Sequence, residues 1–158
     1  MIRLSCFIAL GASACAPVGQ TSGPPSRDEV LLTMLFEDAR SIEHQLAPDF
    51  SCVSLRAGNV DADPPLTVVD ALARRWKSPV LPGSKCKIVE DGAAVSAPGV
   101  SGSGKWLRIA KLQCLSMDHC TADVSYYVAN LGAGGRGVAI DRTSAGWKIT
   151  PSGAMWIS

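Results

Sequence analysis

The chain has 158 residues and a formal net charge of +1, which fits one domain with its own hydrophobic core. Acidic and basic residues are mixed along it without a basic stripe, which argues against nucleic-acid binding and against electrostatic attraction to anionic lipid. After Gly11 no apolar run is long enough to cross a bilayer.

The first fourteen residues have the organisation of a secretory signal peptide. Arg3 precedes a short apolar run, residues 4–11, which ends in the small residues Ala12, Ser13 and Ala14. This order of charged, apolar and small residues is typical of a signal, and the apolar run is too short for a membrane span. We therefore predict a signal peptide over residues 1–14 and an exported mature chain.

The sequence Ala-Ser-Ala-Cys at residues 12–15 resembles the lipobox of bacterial lipoproteins, although leucine is usual where Ala12 stands. The resemblance implies cleavage before Cys15 and lipidation of that cysteine. Ala16 rather than Asp follows, which implies a periplasmic domain on the outer membrane. The alternative is ordinary cleavage that leaves Cys15 as a free N-terminal thiol. Gly- and Pro-containing residues 15–27 are predicted as a lipidated, flexible linker, and residues 28–158 as one domain.

Apart from Cys6 and Cys15 the chain has four cysteines, and an even number in an exported protein predicts disulfides. Of the three possible pairings we favour Cys114–Cys120, because the five residues between them can form a hairpin loop, and Cys52–Cys86. Loop closure predicts contributions of about 2.4 and 3.8 kcal/mol, respectively. The alternative is a metal site of Cys114, His119 and Cys120, but its spacing matches no standard zinc motif, and we predict neither metal nor cofactor.

Two helices are predicted. The first begins with a capping box, Ser26 and Glu29, and continues with helical apolar spacing to Ala47-Pro48. Its charged residues are assigned to a solvated face; they are Glu37, Asp38, Arg40 and Glu43. The second helix is capped by Thr67 with Asp70 and ends at Ser78-Pro79. It is expected to bury Val69, Leu72 and Trp76 and to expose Arg74 and Arg75.

Apolar residues alternate with polar ones in the last third of the chain, which predicts an antiparallel meander with one buried face. Predicted strands are residues 52–55, 86–89, 106–114, 122–128, 138–141, 147–149 and 155–157, with turns at 61–65, 132–135 and 143–146. Arg108 and Lys111 fall on opposite parities, so we expect a bulge near Ala110.

Helices followed by a meander that ends in Gly146-Trp147-Lys148-Ile149 resemble the cone-shaped α+β architecture of NTF2-like (cystatin-like) domains. The resemblance implies a long N-terminal helix and a shorter second helix packed on a curved antiparallel sheet. The chain departs from that family in its four cysteines and lacks the His-Asp pair of some enzymatic members. No catalytic residue is therefore carried over.

Two further patterns are assigned to loops or to the surface. Residues 99–105 match the spacing of a phosphate-binding loop up to Lys105, but Trp106 stands where Ser or Thr would hold magnesium, and a strand follows instead of a helix. They are predicted to form a flexible hairpin loop. His44 is placed on the surface of the first helix. His119 lies beside Asp118 in a solvated turn, the alternative being an oriented base.

Four aromatic residues form the candidate binding surface: Trp106, Tyr126, Tyr127 and Trp147. The tyrosines are adjacent on one strand, so one should enter the core while the other is exposed. The alternative is that these side chains, with Trp76 and Trp156, only pack the core.

We predict a non-catalytic, lipid-tethered domain that binds a periplasmic protein or a small apolar ligand; one version of this hypothesis is an inhibitor. The alternative is a small NTF2-like isomerase, dehydratase or hydrolase with a pocket acid such as Asp123 or Asp141. Both acids are predicted to face away from the buried side of the sheet.

Overall fold

A computed structural model describes residues 24–42, 48–89, 94–128 and 132–158. The predicted signal peptide, Cys15, most of the linker, Glu43 and His44 lie outside these residues. The described chain has two helices and a mostly antiparallel sheet, so the α+β class is confirmed.

Helix α1 (Arg27–Ser41) begins at the predicted capping box. The hydroxyl of Ser26 accepts a bond from the backbone N–H of Glu29 (3.3 Å), and the Glu29 carboxylate accepts one from the backbone N–H of Ser26 (2.7 Å). These bonds satisfy two N–H groups that the helix itself cannot. The predicted continuation of this helix to Ala47 falls on residues 43–47, which lie outside the described part of the chain.

Helix α2 (Leu66–Trp76) follows Pro65, which occupies the N-cap position without a side-chain cap. The predicted cap by Thr67 and Asp70 is wrong, because the Thr67 hydroxyl donates to the Glu29 carboxylate of α1 instead. Val69 and Leu72 are buried as expected, and Trp76 is half-buried beneath Arg40. Val68 is an additional core residue.

Ten strands accompany the helices among the described residues. They are β1 (Phe50–Ala57), β2 (Val60–Ala62), β3 (Val80–Pro82), β4 (Lys87–Ile88), β5 (Val95–Ser96), β6 (Gly104–Cys114), β7 (His119–Tyr127), β8 (Ala133–Thr143), β9 (Gly146–Pro151) and β10 (Trp156–Ile157). A 3-10 turn, Gly83–Lys85, joins β3 to β4.

The main sheet has the order β10-β8-β7-β6-β1-β2, with β9 also paired to β8 and β3 to β1. Strands β6 to β9 form the predicted antiparallel meander. The sheet departs from the predicted antiparallel meander at β1, which runs parallel to both β6 and β3. These parallel pairs join segments that are distant in sequence, so no local turn signals them.

The predicted bulge in β6 is confirmed. The register with β7 shifts between Ala110 and Gln113, and Lys111 adopts a positive φ of 50°. The shift turns the Lys111 ammonium group toward the Asp123 carboxylate of β7, 2.9 Å away.

Three predicted turns are partly wrong. Gly134 and Gly135 belong to β8, and a Cβ on Gly134 would lie 2.8 Å from the Tyr126 ring, so this glycine gives room for an aromatic side chain. Asp61 belongs to β2.

The predicted loop at residues 99–105 is shorter than expected, because Gly104 and Lys105 already belong to β6. Lys105 is fully buried, and its ammonium group donates to the Arg40 carbonyl at the end of α1 (3.2 Å).

Apolar side chains pack on both faces of the sheet. The larger core lies between the sheet and the helices, and its members include Leu31, Leu35, Phe36, Leu72, Leu107 and Ile140. A smaller core lies on the other face and contains Phe50, Cys52, Val95, Ala97 and Trp106. Side chains of β1 alternate between these two cores, which explains why five consecutive residues of that strand are buried.

Both predicted disulfides are present, Cys52–Cys86 and Cys114–Cys120. The first fixes the segment after β3 against β1 on the side of the smaller core. The second joins directly opposed residues of β6 and β7. The two sulfur atoms of the alternative metal site are therefore bonded to each other.

The bond between Thr67 and Glu29 predicts a pH-dependent contact between the helices. Hydrogen bonds from the Thr67 hydroxyl first, then from Ser26, lower the pKa of Glu29 below its ordinary value of 4.5. A carboxylate with a lowered pKa in the folded state stabilises the fold above its unfolded pKa, and that contribution is lost as pH falls through the folded value. Thr67→Val should therefore raise the pKa of Glu29 and lower stability at neutral pH, with the stability difference shrinking below pH 4.5.

An NMR titration of the Glu29 carboxyl group, with urea unfolding at several pH values, measures both quantities. Thr33→Val is the matched control, because the Thr33 hydroxyl donates to the backbone carbonyl of Glu29 (2.8 Å) rather than to its carboxylate. Equal shifts of the Glu29 pKa in both variants would contradict the assignment.

Candidate functional site

The sheet face turned away from the helices carries a row of cross-strand neighbours with an arginine at one side and a tryptophan at the other. Arg108 on β6 is in register with Ser125 on β7, and Ser125 with Gly135 on β8. Trp156 on β10 pairs with the same glycine. Paired residues project from the same face, and neighbouring strands are ~4.8 Å apart, so Arg108 and Trp156 bound a strip about 14 Å wide.

A second pair on this face adds two aromatic rings. Trp106 on β6 lies directly opposite Tyr127 on β7, and both contribute to the smaller core. Trp106 is only 8% exposed, and its indole N–H donates to the Ser54 hydroxyl (2.9 Å). We call Trp106, Arg108, Ser125, Tyr127 and Trp156 the aromatic–arginine surface.

Arg108 is held between a ring and a shared carboxylate. Its guanidinium carbon lies 4.5 Å from the centroid of the Trp106 ring, and its Nε lies 3.3 Å from the Asp61 carboxylate. The same carboxylate also accepts two bonds from Arg56 (3.0 and 3.2 Å). The pKa of Arg108 lies below its ordinary value. Burial is the main cause, the Asp61 carboxylate opposes it, and the charge of Arg56 adds to it. Because one carboxylate serves two guanidinium groups, this part of the surface keeps an excess of positive charge.

The indole of Trp156 lies against β8 because Gly135 leaves room for it. A Cβ on Gly135 would stand 3.0 Å from the indole Cζ2 and 2.7 Å from the Val124 carbonyl oxygen. The ring is therefore supported from below while about half of the residue remains exposed.

The structure brings together only two of the four predicted surface residues, Trp106 and Tyr127. Tyr126 and Trp147 belong to the opposite face of the sheet. Tyr126 is buried in the larger core, with the ammonium group of Lys105 4.6 Å from its ring centroid. Trp147 is half-buried against the same core beneath Arg27, whose guanidinium lies 5.3 Å from its ring.

Sequence reasoning missed Arg108 and Trp156 as site residues. The available signal for Arg108 was its position two residues after Trp106, which places both side chains on one face of a strand. Trp156 gave no such signal, because its pairing with Gly135 depends on how the C-terminal segment returns to β8.

The acids of the predicted enzyme alternative are engaged in surface ion pairs. Asp141 contacts Nδ1 of His119 (2.6 Å), and Asp123 contacts Lys111 (2.9 Å). Both carboxylates project from the side opposite to the buried residues of their strands, as predicted. His119 pairs with Asp141 rather than with its neighbour Asp118, which lies 3.8 Å from Arg142. The His119–Asp141 pair therefore links the β6–β7 hairpin to β8 on a solvent-exposed surface.

A groove of about 560 Å³ lies between the two helices. Val30, Met34 and Ala71 provide its apolar side chains, and Glu29 and Arg74 place charges of both signs along it. The lining is mixed, because Thr33, Thr67, Asp70 and Arg75 also contribute to it.

The chain matches no known protein family, no curated protein and no solved structure. Neither α1 nor α2 is long and apolar enough to cross a membrane. Within residues 24–42, 48–89, 94–128 and 132–158, no three His, Cys, Asp or Glu side chains converge as ligands for a metal ion.

Because Asp61 is shared by two arginines, neutralising it should lower the free energy of unfolding more than neutralising Glu37, which pairs with one exposed arginine. Asp61→Asn leaves the half-buried guanidinium of Arg108 facing that of Arg56, so we expect a loss of about 1.5–3 kcal/mol in the free energy of unfolding. Glu37→Gln breaks an ion pair with Arg75, whose side chain is 65% exposed, and should cost less than about 1 kcal/mol. Urea unfolding of the two variants measures the difference. Equal losses would show that Asp61 does not hold Arg108.

Proposed function

We propose that this chain is an exported, lipid-anchored binding domain that recognises a protein partner through the aromatic–arginine surface. The single observation that carries the recognition proposal is the cross-strand row from Arg108 to Trp156. Arginine and tryptophan are the residue types that most often dominate binding energy at protein interfaces, and here they are fixed on rigid strands.

The chemistry of this surface defines the partner. The excess positive charge at Arg108 and Arg56 favours a carboxylate, while the exposed indole of Trp156 favours an apolar group. Only Ser125, a small and partly exposed residue, lies open between them, because the indole of Trp156 covers Gly135. A partner that presents an acidic side chain beside an apolar one fits this arrangement.

Export is supported by the two disulfides, because such bonds persist in oxidising compartments. The lipid anchor rests on the resemblance of residues 12–15 to a lipobox, and the polar residues before Ser26 would serve as its tether. A periplasmic location on the outer membrane follows from the same resemblance.

The intact mass of the full chain from its native membrane fraction tests the anchor. We expect a mature protein that begins at Cys15 and carries an acyl increment, with four cysteines that react with a thiol reagent only after reduction. The control is Cys15→Ser, which should lose the acyl increment and leave the membrane fraction. An unmodified wild-type chain in the soluble fraction would overturn the anchor.

Recognition is tested with two neighbouring substitutions. Trp156→Ala removes the exposed indole, and Met155→Ala removes a side chain of similar exposure, 54% against 51%. Envelope proteins cross-linked to the wild type and to Met155→Ala, but lost with Trp156→Ala, are the expected partners. Each is then purified and titrated, and Trp156→Ala should weaken its binding by at least about tenfold. Equal binding by the two variants would contradict the proposed surface.

The groove between the helices supports a small apolar ligand as a second candidate. Its apolar side chains Val30, Met34 and Ala71 would contact such a ligand, and Ala71→Trp would fill the space. Extraction of the native protein followed by mass spectrometry distinguishes the two functions, because a ligand lost from Ala71→Trp but kept by Trp156→Ala would occupy the groove.

A further inference from the structure

Three of the nine large apolar side chains that are exposed among the described residues lie at the tip of the β6–β7 hairpin. We call residues 112–118 the hairpin tip. Leu115 and Met117 are 66% and 68% exposed, and Leu112 is also exposed. The Cys114–Cys120 disulfide closes the turn that carries Leu115 and Met117, whereas Leu112 lies in β6 just before Cys114.

The hairpin tip lies beside the first residue of α1. The guanidinium of Arg27 donates to the Ser116 carbonyl (3.1 Å) and contacts Met117 Sδ (3.9 Å) and Cys120 Sγ (3.3 Å). The first residue of α1 therefore lies next to the exposed side chains of the hairpin tip.

Two other exposed apolar residues belong to the same end of the sheet. Strand β1 is parallel to β6, so the turn that leads from Ala57 to Val60 lies at the end where β6 reaches the hairpin tip. Leu66 begins α2, whose next residue, Thr67, bonds to Glu29 in the first turn of α1. Val60 and Leu66 are about as exposed as Met117.

The opposite end of the sheet carries the C-terminal residues. Ile157 pairs with Gly134, and Ser158 bonds to Ala133, which is in register with Tyr127 at the far end of β7 from His119. Met155 and Ile157, which are also exposed, are therefore internal references for the hairpin tip in the same molecule.

The length of the tether limits how far this end can move from an anchored cysteine. Residues 16–25 separate Cys15 from Ser26, and ten residues span at most about 35 Å when fully extended. The start of α1 and the adjacent hairpin tip therefore remain within about one domain diameter of the lipid surface.

We propose that the hairpin tip, through Leu112, Leu115 and Met117, docks on the lipid bilayer that holds the anchor. This inference rests on the proposed lipid anchor and adds the orientation of the domain. The contact is made by apolar side chains, and the charged groups beside them are engaged within the domain: Asp118, part of the tip, lies 3.8 Å from Arg142, and Arg27 donates to the Ser116 carbonyl. A domain held in this way directs Trp156, at the opposite end, away from the membrane.

Methionine oxidation in vesicles tests the docking. The full acylated chain is reconstituted in phosphatidylcholine vesicles and treated with hydrogen peroxide, and the oxidation rates of Met117 and Met155 are measured by peptide mass spectrometry. These side chains are 68% and 54% exposed, so without docking both should oxidise readily. Since burial of one leucine-sized side chain shifts an equilibrium by about tenfold or more, we expect Met117 to react about tenfold more slowly than Met155.

Two charge substitutions with equal starting exposure provide the comparison. Leu115→Asp should remove the protection of Met117, whereas Ile157→Asp, also at a 66% exposed site, should leave it unchanged. Thermal unfolding of both variants verifies that they are folded. Equal oxidation of Met117 and Met155 in an acylated wild-type chain would overturn the docking while the anchor stands. A chain without an acyl increment would overturn the anchor and the docking together.

Discussion

The parallel pairing of β1 with β6 is the constraint on which the rest of the structure depends. Parallel neighbours cannot be joined by a tight turn, so the chain leaves at Ala57 and returns only at Gly104. The crossover between them supplies α2 to one face of the sheet, and the 3-10 turn with β4 and β5 to the other. Because β1 is covered on both sides, Ser51 and Ser54 are as fully buried as its apolar residues, and the Cys52–Cys86 disulfide joins it to the crossover itself. The same crossover carries Asp61 to the side chain of Arg108, so the charge of the candidate site is also a consequence of this pairing.

The sequence predicts what depends on neighbours along the chain. Alternation of apolar residues locates β7 and β8, opposite parities of Arg108 and Lys111 locate the bulge, and a five-residue spacing pairs Cys114 with Cys120. It does not predict what depends on distant segments. Parallel pairing has no turn signature. Gly134 and Gly135 look like turn residues in the sequence, but in the structure they make room for the rings of Tyr126 and Trp156. For the same reason the sequence separates Tyr126 from Tyr127 by strand parity, whereas the return of Trp156 to β8 has no signal along the chain.

The charged residues of α1 show a second limit of periodicity. They were assigned to solvent, yet Asp38 forms a 2.7 Å ion pair with Arg136 in which both side chains are mostly buried, and Arg40 lies 4.6 Å from the ring of Trp76. A helix that crosses a sheet has flanks that are neither core nor solvent, and charges on the flanks meet partners from other elements. Lys105 on β6 is a second example of a charged side chain that meets a partner from another element. Its buried ammonium group lies at the carbonyl end of α1, where a cation is favourable. These polar contacts join α1 to the sheet and to α2 in addition to the apolar core.

The two ends of the sheet differ in a way that connects anchoring to recognition. At one end the start of α1, the hairpin tip and the disulfide behind it are joined through Arg27. Trp156 is in register with Gly135 and hence with Ser125, six residues along β7 from His119, which corresponds to a separation of about 20 Å. Because β7 is hydrogen-bonded on both sides along its length, this distance is maintained by the most continuous part of the sheet rather than by a loop. The proposed tether would enter beside Arg27 and act at one end of a rigid strand, with the aromatic–arginine surface displaced from the point of attachment by most of that strand. Under the proposed function, the orientation of this surface would depend on whether the hairpin tip is docked, and recognition would be coupled to the state of the proposed anchor.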